Sequence, residues 1–263
     1  MSDIVSEILI IARSAIPRPV KDVLLYCFSR RYRRYRMILG LLSQHNGNRV
    51  ASGPFKALEY VTRAYGSQLL PKLLGTYEKE LHPIIELILG KAYEKFINIG
   101  AGEGYYAVGC AIRMPSTQVV CFERHSASQR LLKKVAKKNR VFDRMYLIGY
   151  CTPRLLSRVL LPVRDAHVLI ICDVEGAEIE LLQPLTVPGL SRADILVEVH
   201  SDSISKELRS RFEISHRIMS IKSKPRTLDD WPNEVVLDKQ YQLECMSECR
   251  CQMEWFWMVP KKA

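Results

Sequence analysis

Three glycines spaced by two, Gly100, Gly102 and Gly104, interrupt the chain between the apolar Phe96-Ile97-Asn98-Ile99 and the helix-compatible Tyr105-Tyr106. Glycine lets such a turn take positive φ and lets a ligand rest on bare backbone. The helix that follows aims its free N–H groups at the same place. Glu123 ends the apolar run Val119-Val120-Cys121-Phe122, 19 residues beyond Gly104. That is the reach of a βαβ unit, and a carboxylate there accepts hydrogen bonds from both hydroxyls of a ribose. Asp173 and Glu175 follow the apolar 168–172, and Glu198 and His200 close the apolar 195–199. Carboxylates and an imidazole at strand ends are groups that move protons.

The glycine spacing selects the ligand. A dinucleotide turn reads GxGxxG and needs its third glycine at 105, where Tyr105 stands. The bulky ring obstructs the close helix–strand approach of that motif. GxGxG suits S-adenosylmethionine, whose methionine end carries no pyrophosphate. Methyl transfer from a sulfonium is an in-line displacement that requires a placed acceptor and removal of its proton. His200 has the ordinary pKa for a base, and Asp173 or Glu198 could orient it or act alone. Asp173 also reads as an N-cap for a helix over 175–182. A metal-free site is the favoured form. In the alternative, Asp173, Glu198 and His200 hold a divalent ion that acidifies the hydroxyl, Glu198 and His200 being alternate residues on one side of a strand.

These residues need a sheet to hold them. Strand-like runs at Lys95–Ile99, Gln118–Phe122, 144–148, Val168–Cys172, 195–199, 217–221 and 255–259 alternate with helical segments at 105–112, 126–139, 178–182 and 203–211. Continuous apolar strands alternating with helices predict a parallel sheet covered on both faces. Upstream, 1–45 reads as helical with breaks at Pro17 and Pro19, His45-Asn46-Gly47-Asn48 as a turn and Gly53-Pro54 as a break. Residues 55–70 and 77–89 read as helical again, the latter with Thr76 as N-cap. The division is a helical, basic extension over 1–75 and a cofactor domain over 76–263.

The 263 residues are 48% hydrophobic and 25% charged, which is ordinary globular composition. No apolar run approaches the ~20 residues of a membrane span. Met1-Ser2-Asp3 lacks the basic start of a secretory leader, so a cytoplasmic protein is expected. Eight cysteines read as reduced structural thiols, since Cys245, Cys249 and Cys251 lack a fourth zinc ligand. The net charge is +11, and residues 1–75 hold +8 of it, densest in Arg30-Arg31-Tyr32-Arg33-Arg34-Tyr35-Arg36. Such a segment attracts nucleic acid, anionic lipid or a phosphorylated substrate, or is a solvated helix face.

Residues 72–200 resemble the FkbM-type family of class I S-adenosylmethionine-dependent methyltransferases. The resemblance is carried by Asn98-Ile99-Gly100-Ala101-Gly102-Glu103-Gly104-Tyr105-Tyr106, by Cys121-Phe122-Glu123, by Asp173-Val174-Glu175-Gly176-Ala177-Glu178 and by Val197-Glu198-Val199-His200. Leu74-Gly75-Thr76-Tyr77-Glu78 resembles the segment that borders the cofactor. The resemblance implies a Rossmann-like α/β fold, with a seven-stranded, mostly parallel sheet whose last strand is inserted antiparallel. It implies cofactor contacts from Tyr77, Glu78, Asn98, Gly100, Ala101, Gly102, Glu103, Gly104, Tyr105, Glu123, Arg124, Asp173 and Glu175. It also implies O-methylation of hydroxyls on small molecules, sugars or lipid-linked glycans. Asn98 departs from the family, which often has an acid there; an amide binds the methionine ammonium without charge attraction. The absence of an NPPY-like motif after the fourth strand excludes adenine N6 methylation, and the absence of a Pro-Cys or Thr-Cys pair excludes cytosine C5. Two alternatives remain: an RNA methyltransferase that tracks phosphates with residues 13–36, and a non-catalytic protein that docks peripherally on a membrane or partner through its N-terminal helix.

Overall fold

The computed structural model describes residues 29–161 and 167–261. Of these, 29–48 belong to one compact unit and 49–261 to another. The helical expectation for 1–28 lies outside the described residues. In the first unit, helix α1 (Arg30–Asn46) starts at Ser29, whose Oγ accepts from Tyr32 N–H at 3.2 Å, and ends at Gly47 with φ 60°. Arg33, Arg34 and Arg36 are exposed on it, while the Tyr32 and Tyr35 rings stack at 6.2 Å.

The second unit is built on seven strands: β1 (Lys95–Ile99), β2 (Gln118–Phe122), β3 (Met145–Ile148), β4 (Val168–Cys172), β5 (Asp194–Val199), β6 (His216–Lys222) and β7 (Glu254–Pro260). Their order is β3-β2-β1-β4-β5-β7-β6. Neighbours pair in parallel from β3 to β5, and β7 runs antiparallel to both β5 and β6. This is a Rossmann-like α/β architecture, with the expected inserted last strand. Every residue of β4 and β5 is buried, as is β1 beyond its first residue. Side chains alternate between faces, so burial of consecutive residues means that both faces are covered.

Register positions the site. Ile99 pairs with Phe122 on one side and Cys172 on the other, and Cys172 pairs with Val197. One residue further on, Gly100, Glu123, Asp173 and Glu198 therefore stand level along one edge of the sheet. Beneath them Ile97, Phe122, Ile170, Val197, Leu208 and Phe256 form part of a continuous core. Each such side chain contributes about 1.5–3 kcal/mol by leaving water.

The helices of this unit are α2 (Leu69–Leu74), α3 (His82–Leu89), α4 (Tyr105–Arg113), α5 (Ser126–Lys138), α6 (Pro153–Leu160), α7 (Glu178–Leu181), α8 (Asp202–Phe212) and α9 (Lys239–Met246). Three expectations upstream of β1 are corrected. The helix expected over 55–70 is a chain of turns and bends, with an isolated bridge between Arg49 and Glu59. Asn139 clamps it, accepting from Glu59 N–H at 3.0 Å and donating to Glu59 C=O at 2.8 Å. Thr76 caps no helix. It follows Gly75 at the end of α2, its N–H donating back to Pro71 C=O, and only a short 3-10 turn at Lys79–Leu81 precedes α3. The sheet unit begins at Arg49 rather than at 76, because Ala51 N–H bonds Leu73 C=O and ties this stretch to α2. Helices α6 and α9 add to the expected set. No helix among the described residues is long and apolar enough to cross a membrane.

Candidate functional site

A cavity of about 640 Å³ opens beyond the carboxyl ends of β1, β2, β4 and β5. All the predicted site residues line it except Gly104. The three glycines prove to have three different duties. Gly100 has φ 80°, and a Cβ there would stand 1.7 Å from Asp173 C=O, so this glycine lets two strand ends lie side by side. Gly104 (φ 95°) begins α4, and its Cβ would meet Leu132 and Val108 at 3.1 Å, so it serves helix packing. Gly102 (φ 53°) would point its Cβ into open space, and it lines the cavity. It is the position where bare backbone is offered to a bound molecule.

Glu103 and Glu123 were both expected at the cofactor, and the structure separates them. Glu103 Oε1 takes Lys72 Nζ at 2.7 Å and the Tyr60 hydroxyl at 2.9 Å, and its Oε2 takes Tyr65 N–H at 3.3 Å. Burial pushes its pKa up, but Lys72 outweighs this and holds it below the usual value. Glu103 is thus the inner half of a buried ion pair that fastens 60–72 to the glycine turn. Glu123 is fixed differently. Its Oε2 accepts Gly102 N–H at 2.8 Å and its Oε1 accepts His125 N–H at 2.7 Å. Each oxygen keeps a further lone pair, so the carboxylate is aimed and still able to accept. Arg124 lies beside it on the wall, with Nε 3.1 Å from His125 Nε2. Asn98 is buried, donates to Ile171 C=O at 3.2 Å and leaves Oδ1 without a partner. An orphaned buried acceptor costs about 1–3 kcal/mol unless something completes it. Open Gly102, aimed Glu123 and orphaned Asn98 Oδ1 fit a nucleoside with an ammonium-bearing tail.

Tyr105 opens α4 and packs edge-on against Phe55, Tyr60, Tyr77 and Tyr106 with centroids 5.3–5.8 Å apart. Tyr106 donates its hydroxyl to Glu78. Glu78 holds φ 47°, a strained position for a non-glycine residue, and is pinned by Arg250 Nη2 at 3.0 Å. Burial raises the Glu78 pKa against the pull of Arg250.

At the β4–β5 end the charges crowd. Glu198 is buried; its Oε2 accepts Trp255 Nε1–H at 3.2 Å, and its Oε1 lies 3.6 Å from Arg250. Burial, reinforced by Asp173, pushes its pKa up to about 9. Burial and Glu78 push Asp173 up to about 7. His200 Nδ1 lies 2.9 Å from Glu178 Oε1, and that carboxylate raises the histidine above its ordinary pKa. His200 is therefore better suited to hold a proton than to take one, and Asp173 is the group nearest neutrality. Asp173 caps no helix: α7 starts at Glu178, and it is Glu178 Oε1 that accepts from Val174 and Gly176 N–H. Among the described residues, the His/Cys/Asp/Glu group with convergent ligand atoms is Asp173, Glu175 and His200, within 4.8 Å of one another. Glu175 takes the place expected for Glu198. Cys245 is buried while Cys249 and Cys251 are exposed, so these thiols do not converge.

Sequence reasoning missed Glu178, Arg250, Glu248 and Lys72. Glu178 was within reach as the last residue of the DVEGAE block. Arg250 lies over Tyr77 and Trp255 at 5.3 and 5.2 Å and meets Glu248 Oε2 at 2.5 Å, which only the tertiary fold brings about.

No protein-family model matches the chain, and no curated protein matches it either. Solved structures do. Precorrin-6Y C5,15-methyltransferase from Geobacter metallireducens is 12% identical, with TM-score 0.46 over 67% of this chain and 87% of that one. Human methyltransferase 10 domain containing protein is 11% identical, with TM-score 0.47 over 85% and 94%. The O-methyltransferase TomG from Streptomyces achromogenes, solved with S-adenosylmethionine, is 11% identical, with TM-score 0.43 over 71% and 81%. At such identities the likeness concerns fold, and here strand order and the antiparallel β7 already define it.

Proposed function

We propose that the chain is an S-adenosylmethionine-dependent methyltransferase of the FkbM type, acting on a hydroxyl of a small molecule, sugar or lipid-linked glycan. The observation that carries this reading is the convergence on one cavity of open Gly102, aimed Glu123, orphaned Asn98 Oδ1 and the carboxylate–histidine cluster. The bound cofactor supplies a sulfonium methyl, an electrophile that needs no activation beyond placement. Glu123 accepts from the ribose hydroxyls, and Asn98 Oδ1 accepts from the ammonium. The other chemical task is removing the acceptor's proton. Asp173 Oδ1 is buried toward His200 while its side chain as a whole is 41% exposed, which leaves Oδ2 to face the cavity and take that proton. His200 lies beside it, with Nε2 3.5 Å from Asp173 Oδ1 and Nδ1 2.9 Å from Glu178 Oε1. Native mass spectrometry of the purified protein tests the cofactor; co-purifying S-adenosyl-methionine or -homocysteine is expected. A methyl-release screen over glycans, lipids and RNA tests the acceptor.

A second reading, RNA as acceptor, is favoured by one observation. Helix α5 exposes Arg130, Lys133, Lys134, Lys137 and Lys138, with no acid from Arg124 to Arg140, and Arg124 and His125 at its start line the cavity. This reading alone predicts RNA retention that falls steeply with salt. Retention that is absent at low salt would remove it.

A further inference from the structure

The cluster at the ends of β4 and β5 has a spacing that hydrogen bonding does not explain. His200 Nε2 lies 3.5 Å from Asp173 Oδ1, 3.6 Å from Glu175 Oε2 and 3.7 Å from Glu198 Oε1. Two of the three separations exceed hydrogen-bond length, and the third is at its limit. Ligand atoms held at about 2.1 Å from one ion stand roughly 3.0–3.5 Å from one another. The separations from His200 Nε2 to Asp173 and Glu175 come close to that spacing, and the ligand atoms of all three residues lie within 4.8 Å of one another.

Two further observations point the same way. Asp173 Oδ1 is fully buried and has no hydrogen-bond partner. On the far side of the ring, His200 Nδ1 faces Glu178 Oε1, which the Val174 and Gly176 N–H groups hold in position. Nδ1 makes no hydrogen bond there, and Nε2 is the ring nitrogen on the side of Asp173 and Glu175. Charge completes the case. Glu78, Glu198 and Glu248 share Arg250, whereas Asp173, Glu175 and Glu178 have only His200 as an ion-pair partner among the described residues.

We infer that Asp173, Glu175 and His200 bind a divalent cation. The mixed oxygen and imidazole set suits Mn²⁺, Mg²⁺ or Zn²⁺ and excludes the soft ions that want thiolates. The binding itself does not depend on the proposed function. Its role does: beside the cavity the cation orients the acceptor hydroxyl and lowers its pKa.

The full chain, stripped with a chelator, is titrated with MnCl₂ alone and followed by electron paramagnetic resonance of free Mn²⁺ and by calorimetry. One saturable site is expected. Glu175→Gln, whose side chain is 83% exposed and therefore expendable for folding, weakens it at least tenfold. His200→Ala, checked for native circular dichroism, abolishes it. Glu123→Ala leaves it unchanged. No saturable binding of Mn²⁺, Mg²⁺ or Zn²⁺, or unchanged affinity in Glu175→Gln, overturns the inference. S-adenosylmethionine affinity of the metal-free protein is measured in the same preparation. Nucleoside binding without cation binding removes only the ion, and the reverse removes only the cofactor reading.

Discussion

The two ends of the cavity are built on opposite principles. At the glycine turn every charge is answered: Glu103 is closed off by Lys72 and Tyr60, and Glu123 is held by two backbone N–H groups. At the β4–β5 end carboxylates outnumber cations, and burial lifts Asp173 and Glu198 to about 7 and about 9. A binding surface needs fixed, satisfied groups, because disorder there would be lost as affinity. A reacting surface needs groups whose protonation is finely balanced, and crowding like charges out of water achieves that. The same strand register builds both ends, which is why one fold can hold a ligand at one strand end and do chemistry two strands away.

Substitutions separate the two ends. The largest effect is expected from Gly100→Ala, whose Cβ would meet Asp173 C=O at 1.7 Å. It joins both ends and should forfeit soluble folded protein; a variant with native circular dichroism and an unchanged melting point would break the side-by-side geometry. Asp173→Asn should lower kcat by about 10²–10⁴-fold with little change in S-adenosylmethionine affinity. An equal loss of affinity would place Asp173 at the binding end instead. Glu103→Ala strands buried Lys72 and should cost about 3–5 kcal/mol in urea unfolding, with turnover retained in the molecules that fold. A stability change under about 1 kcal/mol would mean that the pair is not the fastener described. The smallest effect belongs to Gly102→Ala. Its positive φ costs about 1–2 kcal/mol, and its new methyl enters the cavity, so cofactor affinity should drop about tenfold. Unchanged affinity would mean that the ligand does not rest there.

The sheet was legible in the sequence because its central strands are buried on both faces and so read as unbroken apolar runs. Three of them, β1, β2 and β4, match expectation residue for residue. The segment at 55–70 was not legible. Phe55, Leu58, Tyr60 and Val61 are buried at spacings that a helix would also give, but Asn139 and the Arg49–Glu59 bridge hold the chain in turns. Tertiary contacts, that of Asn139 from 80 residues away, decide between the two. The site divides in the same way. Gly102, Glu123, Asp173 and His200 sit beside strand ends, where local pattern announces them. Arg250 and Glu248 arrive from a stretch without pattern and are functional neighbours only through the fold. Glu103 shows the converse: it sits inside the most recognisable motif and faces Lys72.

The central claim is that the nucleoside is held by Glu123 on an open glycine turn. Calorimetric titration of S-adenosylmethionine into the wild-type chain and into Glu123→Ala tests it most directly. The account predicts a single saturable site in the wild type, weakened about 10- to 100-fold by loss of charged hydrogen bonds worth about 1.5–3 kcal/mol. A wild-type chain that does not bind, or a variant that binds equally well, would contradict it.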